Sequence, residues 1–65
     1  MSAFHNKKAT DKETGLKVRL HIHDNKGNYR ILHRASGDIQ YVPGTETPII
    51  ADSSMIGPGR RFVLD

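Results

Sequence analysis

Apolar and polar residues alternate without interruption from Leu16 to His23, a stretch that reads Leu-Lys-Val-Arg-Leu-His-Ile-His. A period of two places the four aliphatic side chains on one face of a β-strand, and two cations with two histidines on the other. The stretch therefore predicts a strand over residues 16–23 that supplies core on one side and a basic surface on the other.

A turn and a second strand follow this alternation. Residues 24–28 read Asp-Asn-Lys-Gly-Asn, with an aspartate suited to the start of a turn and Gly27 able to adopt positive φ. A second strand is predicted over residues 29–35. Together the three segments predict a β-hairpin.

The register of this hairpin depends on the length of its loop. A three-residue loop places Leu20 opposite Leu32, whereas a two- or four-residue loop places Ile22 opposite Ile31. Register follows the buried face. The second arrangement is favoured because it buries the better apolar set of the second strand, which comprises Tyr29, Ile31 and Ala35.

The second half of the chain predicts shorter strands. A turn over residues 36–38 precedes a strand over residues 39–42, and Pro43 ends that strand because proline cannot donate to a ladder. A last strand is predicted over residues 60–64, where two arginines lead into an apolar run.

Residues 47–56 carry two competing signals. Thr47 suits a helix cap, Pro48 suits the first helical position, and Gly57 suits a helix stop. The isoleucines, serines and aspartate between them are mediocre helix formers. The segment therefore predicts either a short helix near 47–56 or a loop with a short strand over 48–51.

These elements predict a mainly β protein. The expected architecture is a small antiparallel meander sheet, or an SH3-like or OB-like barrel, of about four strands with one short helix as an option. Residues 1–14 show no sustained period and are predicted to form a flexible basic N-terminal arm. Residues 15–65 are then a single small β domain.

Composition narrows the class of protein. A chain of 65 residues with 35% hydrophobic residues has a thin core, and without cysteine it has no disulfide to support that core. No apolar run reaches the length of about 20 residues that a membrane span needs. We expect a soluble cytoplasmic protein without membrane contact, and the Met-Ser-Ala start is typical of a complete small reading frame.

The charges are unevenly distributed along the chain. The formal net charge is +3, yet residues 15–36 carry five lysines and arginines against one aspartate, whereas residues 37–65 carry two arginines against four acids. Such asymmetry is typical of a surface that faces a polyanion.

The leading hypothesis is a non-enzymatic basic β-domain that binds a polyanion, nucleic acid foremost, through the outer face of the hairpin at residues 16–35. The favoured register adds the arginines of the second strand to that face. Backbone amides around Gly57-Pro58-Gly59 could form an anion-binding concavity, and two arginines follow at once. The predicted nucleic-acid-binding residues are Lys17, Arg19, His21, His23, Arg30, Arg34, Arg60 and Arg61. The histidines would add positive charge at lower pH.

The alternative hypothesis is a protein-interaction module. It would be a small regulator, adaptor or inhibitor, as phages and mobile elements encode, that docks on an acidic partner surface or forms a homodimer. Its predicted partner-binding residues are Leu32, which the favoured register leaves exposed among charges, with Tyr29 and Tyr41.

Catalytic and metal chemistry find little support in the sequence. His21 and His23 are two apart and could share a metal ion, but the remaining ligand types do not fall on their face. No carboxylate accompanies a histidine on a shared predicted face, and so short a chain offers little cleft to desolvate an acid–base pair. We therefore expect no enzyme activity, no metal and no cofactor.

Overall fold

Five strands form one antiparallel sheet in the computed structural model, which describes residues 3–65. In chain order they are β1 (Lys8–Asp11), β2 (Lys17–Ile22), β3 (Asn28–His33), β4 (Ile50–Asp52) and β5 (Phe62–Leu64). The order across the sheet is β4-β3-β2-β1-β5, so four consecutive strands form a meander and the fifth returns to pair with the first. The sheet curls into a half-barrel, which confirms the predicted mainly β, antiparallel meander with one strand more than expected.

The segment after β4 contacts β5. Ile56 forms a parallel bridge with Phe62, and the Gly57 N–H donates to the Phe62 carbonyl oxygen at 2.9 Å. The core lies inside this curl and consists of Ala9, Val18, Leu20, Tyr29, Ile31, Ile49, Ala51, Ile56 and Phe62. Within residues 3–65, no helix is long and apolar enough to cross a membrane.

The N-terminal segment differs from its prediction as a flexible arm. Residues 8–11 form β1, which pairs with β2 on one side and β5 on the other, and both Ala9 and Asp11 are fully buried. The prediction is wrong for this stretch because its partners lie elsewhere in the chain and its four residues contain a single apolar side chain. Residues 1 and 2 lie outside the described part of the chain.

The predicted hairpin is present as β2 and β3, with its register shifted. Val18 and Leu20 are buried as expected, but Leu16 precedes β2 and is 43% exposed, so its prediction as core is wrong. Leu20 pairs with Ile31 and Ile22 with Tyr29, so the predicted pairing of Ile22 with Ile31 is wrong by two residues. A shift of two keeps every side chain on its face, whereas a shift of one would exchange the faces. Because β3 ends at His33, Ala35 is exposed in the following turn instead of buried.

The turn of this hairpin contains four residues, 24–27. The Asp24 carboxylate accepts the Lys26 N–H at 2.8 Å and the Asn28 N–H at 3.3 Å, while Gly27 adopts a φ of 85°. The Asn28 side-chain amide, with the Lys26 N–H, lowers the pKa of the Asp24 carboxyl. Aspartate and glycine therefore perform the roles that the turn signal predicted.

The long connection from β3 to β4 contains neither the predicted strand over 39–42 nor the optional helix. It forms an irregular hairpin whose arms touch through an isolated bridge between Tyr41 and Pro48, with its turn at Pro43-Gly44, where the predicted strand was expected to end. Ile50–Asp52 forms β4, and Ser53–Met55 forms a single 3₁₀ turn capped by the Asp52 side chain. Of the two alternatives for residues 47–56, a short strand is the one observed, over residues 50–52 instead of the predicted 48–51.

Candidate polyanion-binding surface

Three adjacent strands present cations on the solvent side of the sheet. Arg19 on β2 lies opposite Lys8 of β1, and His21 on β2 lies opposite Arg30 of β3. Residues paired across antiparallel strands share a face, and so do residues two apart on one strand. We call the resulting group, Lys8, Lys17, Arg19, His21 and Arg30, the basic surface.

The four lysines and arginines of the basic surface have no carboxylate partner. Within residues 3–65, ion pairs join only Arg34 to Asp65 and Arg61 to both Asp11 and Glu13. Arg19 instead donates to the backbone oxygen of Asn6 at 3.1 Å, and Lys17 Nζ donates to the Thr10 hydroxyl at 3.0 Å. These contacts orient the side chains. The Asp65 carboxyl, whose pKa is lowered by Arg34 and also by Lys17, offsets part of the charge of Lys17. Lys8, Arg19 and Arg30 keep their charge without such an acid within residues 3–65, so the surface carries a positive potential.

Arg34 lies beside the basic surface but is engaged within the protein. Its backbone N–H donates to the Lys17 carbonyl at 3.1 Å, and its guanidinium donates to the Ala9 carbonyl at 3.0 Å and to the Asp65 carboxylate. The Arg34 guanidinium lowers the pKa of the Asp65 carboxyl. This predicted phosphate ligand therefore ties three strands together and would have to leave Asp65 to meet a phosphate.

Arg61 is directed to a buried site instead of the basic surface. Its Nε and Nη2 donate to the two carboxylate oxygens of Asp11 at 3.0 and 3.1 Å, and Gln40 Nε2 donates to the second oxygen at 3.1 Å. Burial by itself would raise the pKa of the Asp11 carboxyl, but Arg61, Gln40 and the Glu13 N–H together lower it. Asp11 is charged inside the protein because this set of donors replaces water.

The other two predicted cationic positions lie outside the three strands. Arg60 is exposed in the turn over residues 57–60, ahead of β5. His23 is exposed immediately after β2 ends. The structure thus brings together Lys17, Arg19, His21 and Arg30 from the predicted set. His23 lies just beyond the end of β2, where its N–H donates to the Asn28 carbonyl at 2.9 Å, while Arg60 and Arg61 lie ahead of β5.

The sequence did not predict two residues of this region, one that belongs to the basic surface and one beside it. Lys8 belongs to it because β1 is a sheet strand, and the alternation over residues 8–11 is too short to signal that. The His5 ring packs edge-on against the His21 ring, with centroids 4.7 Å apart, and its Nδ1 accepts the Ile22 N–H at 3.0 Å. In the described chain, no three ligating side chains come together to hold a metal ion.

The predicted partner-binding residues have different environments. Tyr29 is only 2% exposed and its hydroxyl accepts the Phe4 N–H at 3.1 Å, so its prediction as a surface contact is wrong. Leu32 lies on the outer face as predicted, but it is half-buried beside Ile39. Tyr41 is 46% exposed, as a contact residue would be.

An apolar strip borders the basic surface on its β3 side. Leu32 bridges Ile39, and Ile50 on β4 lies opposite Arg30. Tyr41 is two residues from Ile39, with buried Gln40 between them, so the alternation places it on the same side as Ile39. The strip therefore consists of Leu32, Ile39, Tyr41 and Ile50.

A groove of about 380 Å³ lies between the turn after β1 and the irregular hairpin. Its apolar wall is made by the hairpin, and its polar end by the Arg61 site. The lining residues are Glu13, Thr14, Gln40, Val42, Pro43, Pro48, Ile49, Ile50 and Arg61. Gln40 is 7% exposed, and its Oε1 has no hydrogen-bond partner in the described part of the chain.

Comparisons with models of known families, with curated proteins and with solved structures found no match to this chain. Its function is therefore argued from the surfaces described above.

Proposed function

We propose that this protein is a non-enzymatic β-domain that binds a polyanion, nucleic acid foremost, through the basic surface on β1, β2 and β3. The observation that carries the proposal is that Lys8, Arg19 and Arg30 occupy one face of three neighbouring strands, and that within residues 3–65 none of them is paired with a carboxylate. A protein that needed these cations only for solubility would gain nothing from concentrating them on one face without acids.

The acids of the sheet strengthen this argument by their positions. Asp11 is the only acid of β1, and it points inward to Arg61. Strands β2 and β3 contain no acid, and the acid of β4, Asp52, is exposed opposite Asn28 on the edge strand, away from Lys8 and Arg19. A chain of phosphates that follows β2 would therefore meet cations on both sides, and each contact would release condensed counterions.

The site that we propose differs from the predicted one in its membership. Lys17, Arg19, His21 and Arg30 remain, and Lys8 joins them. Arg34 is a marginal member because Asp65 holds it, whereas Arg61 serves the buried carboxylate of Asp11. Arg60 lies in the turn ahead of β5, and His23 lies beyond the end of β2, so neither is a member of the basic surface.

The test is the affinity for a fluorescent oligonucleotide, measured by anisotropy over a series of salt concentrations. Four lysines and arginines are expected to give a logarithmic salt dependence with a slope of about 3 to 4 in magnitude. The variant Arg19→Glu is expected to weaken binding about tenfold at low salt and to reduce the slope by about 1.

Arg60→Glu is the matched control, because it makes the same change of charge at an exposed arginine outside the basic surface. It is expected to alter affinity far less than Arg19→Glu. Equal losses in the two variants would mean that only the net charge matters, and an affinity independent of salt would exclude the proposal altogether.

A second candidate function, a protein-interaction module, is favoured by a different observation. Tyr41, Val42 and Ile50 are between 36% and 46% exposed and all lie on the irregular hairpin or on the strand that follows it. Apolar side chains grouped in this way mark interaction surfaces. Light scattering on a sizing column distinguishes the two: a stable dimer that ignores oligonucleotides supports this candidate, and a salt-reversible complex with the oligonucleotide supports the first.

A further inference from the structure

We infer that the preferred polyanion is a single-stranded nucleic acid, whose phosphates lie on the basic surface while its bases lie on the apolar strip. This inference rests on the proposed function and narrows its ligand class. What carries it is the arrangement of the two surfaces: they lie side by side on one face and meet along β3.

Two parallel rows of side chains cross the sheet, and both change from basic to apolar in the same direction. The first runs from Lys8 and Arg19 to Leu32 and Ile39. The second, one step along the strands, runs from His21 and Arg30 to Ile50. Neighbouring strands lie about 4.8 Å apart, so the step from the β2 cations to the far apolar side chains is about 10 Å. One nucleotide covers such a span from its phosphate to its base.

A single strand matches this division of the surface better than a duplex does. In a single strand the bases are free to leave the backbone on one side, which places charge and apolar rings in parallel tracks. A duplex presents charged backbone at its surface and keeps its bases stacked inside. Its backbone would lie against Leu32, Ile39 and Ile50, where it finds no cation.

Tyr41 provides a ring on which a base can stack. Tyr29 and Phe62 are buried, and Phe4 packs against the Tyr29 ring with centroids 5.8 Å apart. Tyr41 is the most exposed aromatic side chain of residues 3–65, and it extends the strip beyond Ile39. Stacking of a base on an aromatic ring tolerates any sequence, so we expect little base preference.

The experiment compares three probes at one low salt concentration: oligothymidylate, an abasic oligodeoxynucleotide of the same length, and a duplex. The abasic chain keeps the phosphates and lacks the bases. We expect oligothymidylate to bind about tenfold more tightly than the abasic chain, which is the contribution of one stacked base. Tyr41→Ala should reduce its affinity to that of the abasic chain, whereas Tyr41→Phe should keep it.

Val42→Ala is the matched control for Tyr41→Ala. Val42 is 41% exposed on the same hairpin, but it lines the groove and not the strip. Its truncation is expected to leave all three affinities unchanged. If it weakens oligothymidylate as much as Tyr41→Ala does, the hairpin as a whole is responsible and the inference is overturned.

Failure of the inference and failure of the proposed function give different results. Equal affinities for oligothymidylate and the abasic chain, or tighter binding of the duplex, overturn the inference while salt-dependent binding of all probes upholds the proposed function. If no probe binds, both are overturned. A dimer that Tyr41→Ala dissociates would then assign the strip to a second copy of the chain.

A measurement on the unaltered protein keeps the inference testable if Tyr41→Ala does not fold. A single strand that carries 5-iodouracil is irradiated in complex with the protein, and the modified residue is located by mass spectrometry. We expect the adduct on Tyr41. An adduct confined to residues outside the strip overturns the inference.

Discussion

Replacing Arg61 by methionine is expected to lower the free energy of unfolding by about 3 kcal/mol. The variant keeps an apolar side chain against Phe62, whose ring centroid lies 5.1 Å from the guanidinium carbon. It removes the only cation from the buried carboxylate of Asp11. The loss therefore reports the electrostatic role of Arg61 and not its packing.

The magnitude follows from the geometry of the pair. Removing one partner of a buried ion pair costs about 3 to 5 kcal/mol, because the other charge stays buried without compensation. Asp11 is fully buried, but it would retain the Glu13 N–H at 3.0 Å and the Gln40 amide at 3.1 Å, and the Arg61 side chain is itself 22% exposed. These remaining donors place the expected loss at the lower end. A domain of 65 residues has a total stability of roughly 3 to 10 kcal/mol, so the expected loss is a large share of the total and readily measured.

The loss should depend on pH in a defined direction. In the native protein the lowered pKa of Asp11 means that its contribution to stability is present above the unfolded-state pKa, about 3.9, and is lost as pH falls through the folded-state value. In Arg61→Met burial is no longer outweighed and raises the pKa of Asp11. The difference in stability between the two proteins should therefore shrink from pH 7 towards pH 4.

Urea unfolding followed by circular dichroism at several pH values measures both effects. Arg60→Met is the control, because Arg60 is exposed and forms no ion pair within residues 3–65, and its change should stay within about 0.5 kcal/mol. If Arg61→Met costs less than about 1 kcal/mol, or costs the same at pH 4 and pH 7, the pair does not stabilise the fold as we reason.

Substitutions at three further positions test other parts of the structure. Ala9→Asp places a charge at a fully buried position of β1 and should abolish the folded circular-dichroism spectrum, whereas a residue in a mobile arm would tolerate it. Tyr29→Phe removes the acceptor of the Phe4 N–H and should lower the free energy of unfolding, measured by thermal melts, by about 1 kcal/mol. An unchanged value would show that this hydrogen bond does not stabilise the fold. Gly27→Ala should cost about 1 kcal/mol because φ is 85°, and Gly27→Asn should cost less, an order whose reversal would contradict the turn geometry.

The basic surface places like charges opposite each other on paired strands. Lys8 and Arg19 lie opposite each other on paired strands, and like charges at that position destabilise the pairing. The cost is offset on the inner side, where Ala9 and Val18 form the corresponding buried pair. A repulsion of this kind that the fold tolerates is expected where the charges serve a ligand, and a bound polyanion should raise the melting temperature.

The sequence by itself determined the β2–β3 hairpin and the character of its two faces. Alternation is a local property, so Val18 and Leu20 were assigned to the core and Lys17 and Arg19 to the surface without knowledge of any partner strand. The predicted faces are correct although the predicted register is wrong, because a shift of two residues leaves each side chain on the same face. Gly27 marked its turn for the same local reason.

The tertiary structure alone decided which residues meet from distant parts of the chain. β1 lies inside the sheet because β2 and β5 pair with it on its two sides. Its four residues contain one apolar side chain, so their pattern does not predict these partner strands. Arg61 meets Asp11 across 50 positions of sequence, which removes it from the basic surface. Ile39 and Ile50 join Leu32 because both arms of an irregular hairpin reach the edge of β3, and backbone contacts between distant segments leave no periodic trace in the sequence.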